Sequence, residues 1–213
     1  MLDIQYEDEF FMVVNKPRGM VSCRGVGTNG DTLEDVTKGM LVHRLDKNTA
    51  GLLIVAKDPH THEVLQKMLQ GREIKRVYKG LVEGVMHGSG TIDKNIVRSP
   101  RRRTLYIVTA KGEGREAITH WVVLQNFKAQ TLVKFNLDTG RTHQIRVHCK
   151  SIGRPIVGDP EYNPDGKLAR GVGQMLEAVE ISFVHPFKPT TIHIEIPVTE
   201  LFNSVIKKCV PVI

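Results

Sequence analysis

Apolar and polar positions alternate from the first residues. Ile4-Gln5-Tyr6 and Phe10 to Val14 flank the acidic turn Glu7-Asp8-Glu9, which predicts a β-hairpin. Asn15-Lys16-Pro17-Arg18-Gly19 ends the second strand, because proline has no amide proton for a ladder and glycine admits turn angles. Residues 22 to 41, rich in glycine and threonine, predict a loop followed by a short helix or turn. Gly51 to Ala56 is an unbroken apolar run suited to a buried central strand. Asp58-Pro59 opens a helix on which Val64, Leu65, Met68 and Leu69 recur at helical spacing, and Gly71 closes it.

Beyond Gly71 the pattern turns mostly to β. Val77 to Glu83 alternates, and Leu105 to Val108, Ile118 to Leu124 and Thr131 to Leu137 are rich in branched and aromatic residues. Arg141 to Lys150 reads as a short helix after Gly140, with Ile145 and Cys149 on its inner face. Strands at Ala178 to Val184 and Thr191 to Ile196 precede a helix over Thr199 to Cys209, with Thr199 as its cap. These elements predict an α+β chain with a largely antiparallel sheet. No repeat, low-complexity stretch or composition shift marks a boundary, so residues 1–213 read as a single domain.

Composition narrows the class. Of 213 residues, 40% are hydrophobic and 25% charged, the usage of a soluble globular protein that needs no disulfide or metal to hold its core. The net charge of +7 and a pI near 9.4 favour a polyanionic partner. Cys23, Cys149 and Cys209 are widely spaced and read as free thiols of a reducing compartment. The acidic N-terminus is unlike a secretory signal, and no apolar run approaches the ~20 residues of a membrane helix. A cytoplasmic chain with no membrane association is expected.

Two segments carry candidate chemistry. In His43-Arg44-Leu45-Asp46-Lys47-Asn48-Thr49-Ala50-Gly51 a carboxylate stands between two cations, and taken alone it reads equally as a capping or turn aspartate. In Gly140-Arg141-Thr142-His143-Gln144-Ile145-Arg146-Val147-His148 cations cluster after a glycine. That suits anion contact at a helix start, or a solvated basic helix paired with its neighbours. Metal binding finds no support: His60 and His62 are two apart, and His143 and His148 five apart, which is not the i, i+4 spacing of a helical zinc site.

Together the two segments resemble the RluA family of pseudouridine synthases. Asn15 to Val21, Lys75 to Gly84, Gly153 to Tyr162 and His185-Pro186-Phe187 resemble further blocks of that family in the same order, over about residues 2 to 197. The resemblance implies a pseudouridine synthase fold: a largely antiparallel mixed sheet flanked by helices and loops, with a central RNA-binding cleft. It implies that Asp46 is the catalytic aspartate, Tyr78 the tyrosine that packs on the target base, and Arg146 the basic residue that pairs with the aspartate. Arg44 matches an arginine that fills the gap left by the flipped nucleotide. Ala50 and Cys149 depart from the commoner serine and leucine without touching these roles.

Such an enzyme flips uridine out of structured RNA, breaks its glycosidic bond, and rejoins the base through carbon, without a cofactor. Asp46 attacks the anomeric carbon or removes the neighbouring sugar proton to give a glycal, and the residues leave both routes open. Further RNA contacts are expected from Arg141, His143, Arg76 and Lys75, with Arg18, Arg24, Arg72, Arg98 and Arg101-Arg102-Arg103 as candidate phosphate contacts. The expected partner is a stem-loop of rRNA or tRNA, bound by a monomer with no extra N-terminal RNA-binding domain. The competing reading is a catalytically inactive RNA-binding module or RNA chaperone of the same fold.

Overall fold

The computed structural model describes residues 2–25, 28–110 and 112–212. In chain order its elements are β1 (Asp3–Glu7), β2 (Phe11–Lys16), α1 (Leu33–Thr37), β3 (Met40–Leu41), β4 (Ala50–Ala56), α2 (Pro59–Gln70), β5 (Lys75–Glu83) and β6 (Ser89–Asp93). They continue as β7 (Ile96–Arg98), β8 (Tyr106–Val108), β9 (Ile118–Asn126), β10 (Gln130–Leu137), α3 (Gln144–Ser151), β11 (Leu176–Val184), β12 (Thr191–Glu195) and α4 (Glu200–Ile206). The α+β class read from the sequence is the one observed. The chain forms two compact units, Met1–Arg76 with Ala178–Ile196, and Val77–Glu177 with Pro197–Ile213.

In the first unit β1, β2, β4 and β11 follow one another across the sheet, with β3 on β4 and β12 on β11. The pairs β1–β2, β2–β4, β3–β4 and β11–β12 are antiparallel. Every residue of β4 is buried, as its apolar run predicts. Leu52 and Ile54 join Phe11, Val13, Leu65 and Ile181 in the core. Gly51 has φ 119, and a Cβ there would collide with the backbone carbonyl of Ala178, so only glycine fits. Helix α2 starts where expected: the Asp58 carboxylate accepts from Thr61 N at 2.9 Å, Pro59 occupies the first turn, and Gly71 is the C-cap. The predicted loop over 22 to 41 includes residues 26 and 27, which lie outside the described residues.

One carboxylate ties the first hairpin to the late strands. Asp8 accepts from Phe10 N and Phe11 N at 2.9 and 3.0 Å, from Tyr6 Oη at 3.0 Å and from Lys188 Nζ at 3.1 Å. His185 Nε2 donates to it at 2.8 Å, while Nδ1 accepts from Phe187 N at 3.0 Å, which fixes the tautomer. This gives His185-Pro186-Phe187 a structural purpose.

In the second unit β5, β10, β9 and β6 follow in that order, all antiparallel, and β7 pairs with β8 as a separate hairpin. Leu81, Val157, Met175, Phe202 and Val205 form one core, and Ile96, Ala117, Val147 and Tyr162 a smaller one. Thr199 caps α4 as predicted, accepting from Phe202 N at 3.2 Å. Helix α3 departs from the prediction. It begins at Gln144, because His143 at φ 58 is left-handed and cannot continue a helix, and all of Gln144 to Cys149 is buried. The strands β3, β6 and β7 escaped the sequence reading: β3 and β7 have two and three residues, and β6 opens with Ser89-Gly90, a turn signal.

Burial alone would raise the Asp8 carboxyl, but its hydrogen bonds to His185, the two backbone amides and Lys188 outweigh that and hold it well below the usual carboxylate range. A lowered folded value means the stabilisation is complete above the unfolded pKa near 4 and is lost as pH falls through the folded one. Urea titrations of wild type and Asp8→Asn test this. The variant is expected to lose roughly 1–3 kcal/mol at pH 7, with the gap closing as the pH drops below 4.

Candidate active site

The first unit holds Asp46 in a short loop fixed at several points. The Asp46 carbonyl accepts from Thr49 N at 3.0 Å, and the Lys47 carbonyl from Gly19 N at 2.9 Å. Ser22 Oγ brackets Leu45, donating to its carbonyl at 2.7 Å and accepting from its amide at 3.1 Å. Lys16 is fully buried, and its Nζ donates to the carbonyls of Pro17, Met20 and Lys47 at 3.0, 2.8 and 3.3 Å. One ammonium thereby staples the Asn15 to Gly19 loop to the Asp46 loop. Burial, with Arg18 acting in the same direction, pulls the Lys16 ammonium down to about 8 against the upward pull of the Asp46 charge. At neutral pH Lys16 is therefore mostly charged and supplies positive potential at Asp46.

The residues flanking Asp46 divide by exposure. Arg44 is exposed, with Nη1 3.9 Å from Cys23 Sγ. His43 is buried and accepts from Ile54 N at 3.3 Å through Nε2. Burial and the nearby Arg76 charge push His43 down to about 3, so it is a neutral core histidine. Lys75 is exposed, whereas Arg76 is buried at 6% exposure, in the interior and not on the phosphate-facing surface its sequence position suggested. Tyr78 is buried on β5, opposite Phe135 of β10.

The second unit builds a cradle around Arg146. The buried Gln144 amide sets the start of α3: Oε1 accepts from Thr139 Oγ1 and Arg141 N at 2.8 and 2.9 Å, and Nε2 donates to Ile118 O and Thr119 Oγ1, both at 3.0 Å. Two residues on, Arg146 donates from Nε and Nη2 to the two Asp159 oxygens at 2.7 and 2.9 Å, and from Nη2 to Glu161 at 2.6 Å. The Arg146 and Asp159 side chains are 4% and 0% exposed. Asp159 also accepts from Glu161 N and Tyr162 N at 2.9 and 3.0 Å. The Arg146 guanidinium lies 5.0 Å from the centre of the Tyr162 ring.

The other polar residues of the segment are tied down as well. His148, read as part of a basic helix, is buried between Thr119 Oγ1 and the Lys94 carbonyl, both at 2.9 Å, and burial lowers its pKa. Arg141 donates to the Glu116 carbonyl at 2.9 Å. His143 is 14% exposed at the side chain and bonds Tyr162 Oη at 2.9 Å, which makes it a packing residue more than a surface one. Sequence reasoning assigned no role to Lys16, Asp159, Glu161 or Tyr162. The signals were a lysine ending a strand that opens with four apolar residues, and a carboxylate pair around Pro160. Among the described residues no group of three or more His, Cys, Asp or Glu is arranged to hold a metal ion.

The family model for RNA pseudouridylate synthase matches residues 10–151. The chain belongs to that family. As an RNA pseudouridylate synthase it is an isomerase that converts uridine in RNA to pseudouridine. It is 42% identical over 214 residues to the uncharacterized RNA pseudouridine synthase YlyB of Bacillus subtilis, covering 93% of this chain and 70% of that one. With ribosomal large subunit pseudouridine synthase D of Buchnera aphidicola it shares 35% identity over 230 residues, covering 97% and 73%. The solved structure of human RNA pseudouridylate synthase domain containing 1 superposes with a TM-score of 0.79 at 26% identity, covering 96% of this chain and 87% of that one. The matched segment includes the Asp46, Tyr78 and Arg146 motifs of this synthase, while Asp159 to Tyr162 lie beyond it.

The cradle predicts an asymmetry between its two carboxylates. Asp159→Ala strands the buried Arg146 charge and is expected to cost about 3–5 kcal/mol. Glu161→Gln, at a carboxylate 29% exposed, is expected to cost about 0–1 kcal/mol. Urea midpoints of the two variants at pH 7 check the difference.

Proposed function

We propose that this synthase acts on a uridine in a stem-loop of rRNA or tRNA, with Asp46, Tyr78 and Arg146 as its catalytic residues. The observation that carries the reading is the Asp46 loop, fixed by Lys16 and Ser22 inside a motif that matches the family. The curated relative that acts on the ribosomal large subunit supports rRNA as the first substrate to try.

The chemistry asks for these residue types. A paired base is inaccessible, so the nucleotide is extruded at a cost of a few kcal/mol. The exposed Arg44 can fill the gap it leaves. Stacking of the flipped uracil on the Tyr78 ring offsets roughly 1–3 kcal/mol of that cost. Ionised Asp46 attacks the anomeric carbon, or takes the neighbouring sugar proton, and the bond from that carbon to N1 breaks. The base turns and C5 bonds to the anomeric carbon as the Asp46 bond to that carbon breaks, or, on the glycal route, as Asp46 returns the proton to the neighbouring sugar carbon. The C5 proton then leaves to water while N1 gains one, so the product is an isomer. The Tyr78 hydroxyl serves the proton transfers. Arg146 is the cation that the family motif assigns to the aspartate. Lys75, Arg141 and the hairpin arginines Arg98, Arg101, Arg102 and Arg103 hold backbone phosphates. The chain works as a monomer without metal or cofactor.

The test is release of tritium from RNA labelled at uridine C5. Wild type is expected to release label and Asp46→Asn none, with the two proteins melting alike. Tyr78→Phe is expected to bind RNA as well as wild type and to release label at least about 100-fold more slowly, the size of a lost proton-transfer group. Release by Asp46→Asn at the wild-type rate would remove Asp46 from the reaction. Binding without release by wild type would favour an inactive RNA-binding module.

A further inference from the structure

The hairpin β7–β8 carries exposed Arg98, Arg101, Arg102 and Arg103, and its base is anchored at one side chain. Tyr106 N, in β8, donates to Tyr162 Oη at 2.9 Å. The same hydroxyl bonds His143 Nδ1 at 2.9 Å. It has one proton to give, and the amide can only donate, so the hydroxyl accepts from Tyr106, while the direction of its bond to His143 follows the histidine tautomer. Burial pushes the Tyr162 phenol up to about 12, which keeps that proton in place. The His143 ring meets Tyr106 and Tyr162 edge-on, at 5.6 and 5.7 Å between centres. Arg98 covers the other end of Tyr106, 5.6 Å from the ring centre, with Nη2 donating to its hydroxyl at 3.2 Å.

The opposite side of this cluster is the Arg146 cradle. The guanidinium rests 5.0 Å from the Tyr162 ring centre, and the Tyr162 amide is bonded to the same Asp159 that grips Arg146. His143 stands three residues before Arg146 and holds a left-handed backbone at φ 58, a conformation that costs a non-glycine residue energy and persists only where its surroundings impose it. Here those surroundings are Tyr162 and Tyr106.

We propose that Tyr162 is a positioning residue that joins the RNA grip to the reaction's cation: its hydroxyl sets the arginine hairpin in place and its ring seats Arg146. The inference rests on the catalytic role proposed for Arg146 and on RNA contact by the hairpin. It assigns separate tasks to two parts of one side chain, so the two can be separated by substitution. Tyr162→Phe keeps the ring and loses the hydroxyl, whereas Tyr162→Leu loses both.

The test uses the full chain and a fluorescein-labelled rRNA stem-loop, with Kd read at several salt concentrations and KM and kcat read from C5 tritium release. Tyr162→Phe is expected to raise Kd and KM about fivefold, the worth of one hydrogen bond, with kcat within about twofold of wild type. Tyr162→Leu is expected to lower kcat at least about tenfold as Arg146 loses its seat. Replacing Arg101, Arg102 and Arg103 by Ala together is expected to flatten the salt slope by about 2, at roughly 0.7 per phosphate contact. Adding Tyr162→Phe to that triple variant is expected to change Kd by less than about twofold, because the grip it positions is gone. A fivefold loss in both backgrounds, or no loss in either, overturns the positioning of the hairpin. Equal kcat for the Phe and Leu variants overturns the seating of Arg146. If wild type binds RNA without releasing tritium, the synthase reading fails while the Kd comparison still decides the role of the hydroxyl.

Discussion

A guanidinium with almost no surface in water needs a carboxylate beside it, and Arg146 has Asp159. Neither charge tolerates burial alone, and the bidentate geometry fixes the plane as well as the position of the cation. Asp159 spends its remaining acceptor capacity on the amides of Glu161 and Tyr162, so one carboxylate shapes the segment after Pro160 while it holds the helix that carries Arg146. The start of that helix is set by the saturated amide of Gln144, and its far side by His148 against Thr119 and Lys94. Six consecutive buried residues on a short helix are affordable only because each polar one has its partners.

The first unit solves the same problem with the opposite partner. Lys16 is as buried as Asp159, but it is satisfied by three carbonyls instead of a carboxylate. Those carbonyls belong to the two loops around Asp46, so the ammonium both orders the loops and charges their neighbourhood. In each unit a buried cation fixes a family motif in place, and the mechanism proposed for Asp46 and Arg146 draws on such pre-organised charge.

The limits of the sequence follow from the range of the interactions. β4 and α2 were legible because local rules decide them: a continuous apolar run for one, and Asp58, Pro59 and Gly71 as cap, first turn and stop for the other. Helix α3 was legible as an element, with Ile145 and Cys149 inside as expected, but the fate of its cations was not: Arg146 and His148 are buried, and their partners come from as far away as Lys94 and Asp159. Arg76 misled for the same reason, as a cation next to exposed Lys75 that turns inward toward His43. The motifs of the resemblance marked the candidate site, and the residues that hold its segments in place, Lys16, Asp159 and Tyr162, emerged only from contacts.

The most direct test of this account is the single-turnover rate of tritium release by Arg146→Lys, on protein shown by circular dichroism to be folded. Lysine keeps the charge and loses the fork that Asp159 orients. The account predicts release slowed at least about tenfold with RNA bound as tightly as by wild type, the loss being one of pre-organised charge. Release within about twofold of wild type would show that a point charge suffices and that the cradle around Arg146 serves the fold alone.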